Sequence, residues 1–208
     1  LLHRSPTGVS LTEEGRSLLG AARAALDAAD TALGAVGASR GEVEGLVRLG
    51  SSIAFGRLQV IPRLAALLER HPALSIELAL SDGVVDLVQE GIDVSIRIGT
   101  VTDPDLVVRR LGTSRRAVVA TPDYVARVGR PAHPDDLAQH QCIRFMGLAT
   151  REGWPFEGPD GETFVVPVRG QLRANTSEAV REAVLQGLGF GLCPVWMFCR
   201  ELRDGTVV

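Results

Sequence analysis

The chain has 208 residues, with 22 basic and 25 acidic side chains and a formal net charge of −3. This length suffices for one large domain or two small ones, and the charge excludes a protein that binds nucleic acid over its whole surface. No apolar run reaches the ~18 residues of a membrane helix and no signal-peptide pattern is present, so we expect a cytoplasmic protein without membrane contact. The cysteines Cys142, Cys193 and Cys199 lack metal-ligand spacing, which favours reduced thiols and predicts no metal or cofactor.

The N-terminal residues combine a basic, turn-rich stretch with a predicted helix. Ser10 and Thr12 are both plausible N-caps, and Ser10 with Glu13 fits a capping box. The apolar positions that follow recur at heptad spacing, which predicts a helix that pairs with a second copy. An amphipathic helix packed on its own domain is the alternative. The residues of this seam are Leu11, Leu18, Ala22, Ala25, Ala29 and Ala32. Glycines between 34 and 41 predict a hinge.

Residues 42–99 alternate between strand and helix patterns. Alternating apolar residues predict a strand at 74–82, and apolar residues at helical spacing predict a helix at 58–72. Further strands are predicted at 47–52 and 92–99, and a short helix capped by Asp82 at 83–91. Strands and helices that alternate at this pace form βαβ units and therefore a parallel sheet.

The second half of the chain continues with mixed elements. Strands are predicted at 106–112, 115–121, 142–145, 190–195 and from 206 onward, and helices at 121–129, 134–140, 176–189 and 196–205. The stretch 154–175 has the turn residues of a hairpin, with residues 159–161 at its tip. Two α/β lobes that meet at a cleft are predicted, with the change between them near residues 115–122.

The order of these pieces resembles the LysR-type transcriptional regulators. The resemblance covers essentially the whole chain and is carried by "TGVSLTEEGRSLL", "LQVIPRLAALLERHPALSIELALSDGVVDLVQEGIDVSIRIG", "TPDYVARVGRPAHPDDLAQHQCIRF", "RANTSEAVREAVLQGLGFGLCPVW" and "ELRDGTVV". It implies an α/β, two-lobed effector domain like a type 2 periplasmic binding protein, preceded by a long linker helix. The implied divisions are the end of a winged helix-turn-helix at 1–10, the linker helix and hinge at 11–41, lobe 1 at 42–119 and lobe 2 at 120–208.

The resemblance also implies a function and partners. A small-molecule effector, for which an anion is one candidate, would bind between the lobes. Its binding would change the geometry of a homodimer or homotetramer and thereby the spacing of the DNA-binding domains. DNA would be bound by a domain before Leu1, with Arg4, Ser5 and Thr7 as contacts to the phosphate backbone. The alternative is a solute-binding protein of a transport system. An enzyme is not expected, because the sequence offers no nucleophile–base pair and no metal cluster.

The predicted effector contacts lie at strand ends and helix starts. Ser51 and Ser52 precede a helix, where their hydroxyls bind an anion or simply cap the helix. Arg97 is either an anion clamp or the partner of a carboxylate such as Asp93. Asn175 either faces the cleft or closes a turn. The resemblance implies Ser51, Ser52, Arg97 and Thr100 as contacts in the first lobe, and Phe145, Asn175, Thr176, Pro194 and Val195 in the second.

Overall fold

The computed structural model describes residues 1–5, 8–15, 17–22, 25, 43–83, 86–101, 103, 105–147, 153–158 and 160–208. They form two compact units. The first comprises Leu1–Ser52 and Gln59–Ile98, and the second comprises Ile53–Leu58 and Gly99–Val208. Within the described ranges, no helix is both long and apolar enough to cross a membrane.

The N-terminus is a β-hairpin where the sequence predicted only turns. Strands β1 (Leu2–Ser5) and β2 (Gly8–Leu11) pair antiparallel, and Ser10 lies opposite His3 in this ladder. The prediction of Ser10 as a helix cap is therefore wrong. Thr12 takes that role, because its Oγ1 accepts a hydrogen bond from the N–H of Gly15 at 3.1 Å.

The predicted dimer helix is described only in part. Residues 13–15, 17–22 and 25 are helical, and Leu18, Ala22 and Ala25 are exposed on it. Leu11 stands at the end of β2 instead of within the helix. Ala29, Ala32 and the glycine hinge lie outside the described residues. Three seam positions are thus open on the helix surface, and their pairing with a second copy stays a prediction.

The first unit contains a three-stranded parallel sheet, as the βαβ pattern predicted. Its strand order is β4–β3–β5, with bounds β3 Gly45–Ser51, β4 Leu74–Leu80 and β5 Val94–Ile96. Helix α1 (Ile61–Arg70) connects β3 to β4, with Pro62 in its first turn, where proline is tolerated. A helical turn at Ile53–Phe55 and a π-helical turn at Gly56–Val60 precede it.

The short helix predicted at 83–91 is a turn in its described part, residues 86–91. Asp86 caps this turn, because its Oδ1 accepts hydrogen bonds from Val88 and Gln89 at 3.0 Å each. The sequence predicted Asp82 as the cap, and that role stays a prediction because residues 84 and 85 lie outside the described residues. Gly91 follows with φ +63°, which ends the turn before a helix can extend.

The second unit is built on a four-stranded mixed sheet of order β10–β7–β11–β6. Strands β10, β7 and β11 are mutually parallel and β6 runs antiparallel at the edge. The bounds are β6 Arg116–Val119, β7 Cys142–Phe145, β10 Arg173–Ala174 and β11 Phe190–Pro194. The predicted hairpin is present as β8 Trp154–Glu157 and β9 Thr163–Val166, and the left-handed Gly161 lies at its tip.

The helices of this unit follow the sequence prediction closely. They are α2 Pro122–Val128, α3 Ser177–Leu185 and α4 Cys199–Asp204, with 3-10 turns at Pro134–Gln139 and Val195–Phe198. Thr121 caps α2 as predicted, since its Oγ1 accepts a hydrogen bond from the N–H of Tyr124 at 3.3 Å. The helix predicted at 196–205 begins with the second of these 3-10 turns and continues as α4.

Two apolar clusters form the core of the second unit, one on each face of its sheet. Ile143 belongs to the first cluster and its neighbour Cys142 to the second. Cys193 and Leu192 on β11 divide in the same way. Successive side chains of a strand point to opposite faces, so both faces of this sheet are covered.

One predicted strand is absent. Residues 106–112, predicted as a strand, form none, and Val107, Val108 and Leu111 are largely exposed. A strand requires a neighbour that supplies hydrogen bonds, and local sequence cannot guarantee one. Strand β6, assigned to lobe 1 by the sequence, pairs with β11 in the second unit. The strand predicted from 206 is represented by two hydrogen bonds that Val208 exchanges with Ala120.

Candidate functional site

The carboxyl edge of the first sheet carries three of the predicted contacts. Ser51 ends β3 and lies in register with Leu80 and Ile96, the last residues of β4 and β5. Ser52 and Arg97 follow directly on this edge, because the carboxyl ends of parallel strands lie together. Thr100 is exposed in the stretch after β5.

Ser51 is 6% exposed, and its hydroxyl has no hydrogen-bond partner among the described residues. It therefore does not cap the following helical turn, which removes one of the two roles that the sequence left open. The backbone oxygen of Ser51 accepts a hydrogen bond from Ser81 at 3.0 Å, so the strand end itself is fixed. A buried hydroxyl without a partner is a group that a ligand can satisfy.

Glycine at position 50 allows the close packing that buries this edge. A Cβ at Gly50 would lie 3.1 Å from Cγ2 of Ile92 and 3.2 Å from Oγ of Ser95. A Cβ here would be in tighter than ordinary contact, so the side chains of Ile92 and Ser95 would have to shift slightly to admit it. Close packing around position 50 therefore explains why a glycine precedes Ser51, whose hydroxyl is the candidate ligand-binding group.

Arg97 and Asp93 have different partners in the first unit. Nε of Arg97 donates a hydrogen bond to Oγ of Ser95 at 3.2 Å. Oδ2 of Asp93 accepts a hydrogen bond from the backbone N–H of Arg48 at 2.7 Å, which joins the start of β5 to β3. Arg97 is exposed, so its guanidinium is accessible at the carboxyl edge.

The second unit gathers the other predicted contacts at one edge of its own sheet. Phe145 ends β7 beside Ala174 of β10, and the N–H of Met146 donates to the oxygen of Ala174 at 2.8 Å. Asn175 and Thr176 follow β10, Pro194 ends β11, which is parallel to β7, and Val195 follows it in a 3-10 turn. The five predicted residues of this unit therefore share a carboxyl edge.

The start of α3 lies at this same edge. Oγ1 of Thr176 accepts a hydrogen bond from the N–H of Ala179 at 3.2 Å, so Thr176 is the N-cap of α3. Its hydroxyl hydrogen is still able to donate to a ligand. Asn175 is exposed, whereas Phe145 is half-buried and packs against the core cluster that contains Ile143.

The sequence did not reveal the charged pairs of the second unit. Nη2 of Arg57 lies 2.6 Å from Oε1 of Glu178, in the first turn of α3. Arg181 is buried, pairs with Glu201 and donates from Nε to the oxygen of Met197 at 3.0 Å. The two residues of each pair are far apart in the sequence, so no local pattern links them. An arginine among the apolar residues of α3, Arg181, was the one sequence feature that indicated a buried charge.

The cysteines are free thiols, as the sequence predicted. Burial raises the pKa of Cys142 and of Cys193 to about 12, so both are protonated at neutral pH. In the part of the chain that the structure describes, no group of His, Cys, Asp and Glu is placed to hold a metal ion.

The predicted DNA contacts lie on the N-terminal hairpin. Arg4 and Ser5 occupy the end of β1, next to the turn to β2. Thr7 lies outside the described residues. The hairpin carries His3 and Arg4, the basic residues of the N-terminal stretch.

Comparisons with known sequences and structures agree with this architecture. The family model of the LysR substrate binding domain matches residues 40–208. The HTH-type transcriptional regulator DmlR of Escherichia coli (strain K12) is 33% identical over 209 residues, covering all of this chain and 68% of the relative. The HTH-type transcriptional activator TtdR of the same strain is 30% identical over 208 residues, covering all of this chain and 67% of the relative.

Two solved structures extend the likeness to the fold. Full-length AphB, the Vibrio cholerae virulence activator, superimposes with a TM-score of 0.72 at 28% identity, over all of this chain and 71% of that chain. CrgA from Neisseria meningitidis gives a TM-score of 0.73 at 26% identity, over all of this chain and 70% of that chain. The predicted fold class, an α/β effector domain like a periplasmic binding protein, is confirmed. The chain belongs to the LysR family of transcriptional regulators.

Proposed function

We propose that this chain is the effector-sensing part of a LysR-type regulator and that it binds a small anionic molecule at the carboxyl edges of its parallel strands. The observation that carries the proposal is the hydroxyl of Ser51, which is buried without a partner at the end of β3. A buried polar group left unsatisfied costs about 1–3 kcal/mol. A ligand that supplies the missing hydrogen bond recovers part of that cost.

The charge at this edge supports an anion. The guanidinium of Arg97 is exposed beside the strand ends, and arginine binds carboxylates with two parallel hydrogen bonds. Ser52 adds a hydroxyl donor at the same edge, and Thr100 carries an exposed hydroxyl in the second unit. In the second unit, Asn175, Thr176, Pro194 and Val195 with Phe145 supply a mixed polar and apolar edge, which suits a ligand with both kinds of surface.

The regulatory step that we propose is a population shift. An effector that binds one arrangement of the protein more tightly favours that arrangement in a homodimer or homotetramer, and this alters how the DNA-binding domains meet their sites. The exposed Leu18, Ala22 and Ala25 and the basic hairpin support roles in pairing and DNA contact. A regulator must reach DNA, so we place its action in the cytoplasm.

The rival functions are less well supported. The relatives are regulators by name, which favours regulation over solute capture for transport. The proposed role is ligand binding without catalysis, and it requires no metal or cofactor. A regulator and a transport protein differ in partner, because the first must change DNA occupancy when the effector is added.

The proposal is tested with a panel of small mono- and dicarboxylates and sulfate, measured by thermal shift and calorimetry. We expect at least one anion to raise the melting temperature of the wild-type chain. Ser51→Ala and Arg97→Gln should each weaken its binding about tenfold, the loss of roughly one charge-assisted hydrogen bond. Ser75→Ala, on the exposed face of β4, is the matched control and should bind like wild type. Equal binding by Ser51→Ala and wild type would refute this site.

A further inference from the structure

The segment Ile53–Leu58, called the anchor segment below, follows Ser51 and Ser52 directly and belongs to the second compact unit. Ala54 is fully buried in the core cluster that contains Val180 and Val184 of α3, and Leu58 packs against the same cluster. The strand before this segment and the helix after it belong to the first unit. A short piece of chain next to the candidate effector residues is therefore held by the core of the second unit.

An ion pair adds a polar attachment. Nη2 of Arg57 contacts Oε1 of Glu178 at 2.6 Å. The other carboxylate oxygen, Oε2, is buried and has no hydrogen-bond partner among the described residues. Burying a carboxylate oxygen without a donor is unfavourable, so Arg57 supplies the interaction that holds Glu178 in this position.

A ring contact gives a second attachment. Phe55 meets Trp196 edge to face, with ring centroids 5.1 Å apart and an interplanar angle of 82°. Trp196 follows Val195, and Glu178 lies two residues after Thr176. The anchor segment is thus attached beside the end of β11 and beside the start of α3, where the candidate contacts of the second unit lie.

We infer that Arg57 and Glu178 are positioning residues for effector binding, because their ion pair fixes the anchor segment and thereby the backbone of Ser51 and Ser52. The inference rests on the proposed function, in which these serines contact the effector. Ser52 is bonded to Ile53, so a movement of the anchor segment changes the direction of the serine hydroxyls. Ligand groups must be held within about 0.5 Å of their productive positions, so such a movement weakens binding.

The test compares Arg57→Ala, Glu178→Ala and the charge swap Arg57→Glu/Glu178→Arg in the full chain. The readouts are the amide NMR shifts of Ser51 and Ser52, amide hydrogen exchange in the anchor segment, and a titration with sodium sulfate. Each single variant should speed exchange in the anchor segment about tenfold. Each should also move the two serine shifts and weaken sulfate binding about threefold or more. The charge swap should bring all three readouts back toward wild type.

Leu137→Ala is the control for general destabilisation, because Leu137 is buried in the other core cluster of the second unit. It should lower the melting temperature without moving the amide shifts of Ser51 and Ser52. Serine shifts in Glu178→Ala no larger than those in Leu137→Ala would overturn the inference, as would a charge swap that restores nothing.

The outcomes separate this inference from the proposed function. Wild-type and variant chains that bind sulfate equally would remove the positioning role and leave the effector site standing. A wild-type chain that responds neither to sulfate nor to any carboxylate of the panel would count against an anionic effector. In that case, the amide shifts of Ser51 and Ser52 in the variants still decide whether the ion pair fixes them.

Discussion

The two compact units differ in how much apolar surface they bury. The second unit has an apolar cluster on each face of its sheet, with Phe198 and Val184 fully buried. Among the described residues of the first unit, Val60 is the one buried apolar side chain, at 6% exposure, and helix α1 has no buried residue. Stability is therefore concentrated in the second unit, while the first unit presents an edge with an unsatisfied hydroxyl.

This difference agrees with the proposed function, in which the second unit keeps its shape and the first unit adapts to the ligand. A well-packed sheet holds its strand ends and the start of α3 in fixed positions, and it also holds the anchor segment. A sheet with half-buried faces shifts its strand ends at lower cost, since few packed contacts must be broken. A regulator requires both properties, because one part must keep its shape while another changes its population with the ligand.

The largest expected effect comes from emptying the core of the second unit. Phe198→Ala should lower the free energy of unfolding by about 3–5 kcal/mol, the cost of a cavity and of lost transfer energy. Leu67→Ala, at a 38% exposed position on α1, should cost less than about 1.5 kcal/mol because less area is removed from contact. Urea unfolding is followed by far-UV circular dichroism, which reports both units, and by tryptophan fluorescence, which reports the second unit because Trp154 and Trp196 lie there. Similar losses in the two variants would contradict the contrast between the units.

The elements that could be predicted from the sequence are those with local causes, whereas those that depend on distant neighbours could not. The alternation of apolar residues correctly predicted strand β4, and Thr121 and Thr176 cap their helices as the sequence indicated. The stretch 106–112 has the composition of a strand, yet strand formation depends on a neighbour that local sequence does not specify. Ser10 and Thr12 have nearly equal capping potential, and pairing with His3 in the hairpin decided between them.

The sequence was sufficient to predict which sheet edges carry the candidate site, but not the side-chain contacts at those edges. The order of strands was enough to place Ser51 and Phe145 at carboxyl ends, because parallel strands align in one direction. The unpartnered hydroxyl of Ser51 and the pair of Arg57 with Glu178 depend on side-chain packing between distant segments. No periodicity in the sequence carries that information.

The next effect in size concerns the buried ion pair of the second unit. Glu201→Ala should cost about 3 kcal/mol, because it leaves the buried guanidinium of Arg181 without its carboxylate. The matched control is Glu77→Ala, which removes the exposed pair with Arg48 in the first unit. That change should cost less than about 0.5 kcal/mol, since water screens exposed charges. Equal costs from urea unfolding would mean that burial does not separate the two units in the way described.

The smallest expected effect for a single side chain is a loss of stability at high pH, which should be confined to the second unit because it holds all the cysteines. Burial raises the pKa of the Cys142 and Cys193 thiols from 9.0 to about 12. Below pH 9 the folded and unfolded states are both protonated, so the stability from these thiols is fully present. Above pH 9 the unfolded chain loses protons that the folded chain keeps, so the free energy of unfolding falls until about pH 12. The expected loss is about 2 kcal/mol for each thiol at pH 10.5, at 1.36 kcal/mol for each pH unit.

The variants Cys142→Ala and Cys193→Ala should each remove about half of this dependence, measured as the difference in urea midpoint between pH 8 and pH 10.5. Cys199→Ala is the control, because Cys199 is exposed and its variant should keep the full wild-type dependence. A flat profile in wild type would mean that the two thiols become accessible without unfolding. The second unit would then open as readily as the first, and the contrast between a rigid unit and an adaptable one would fail.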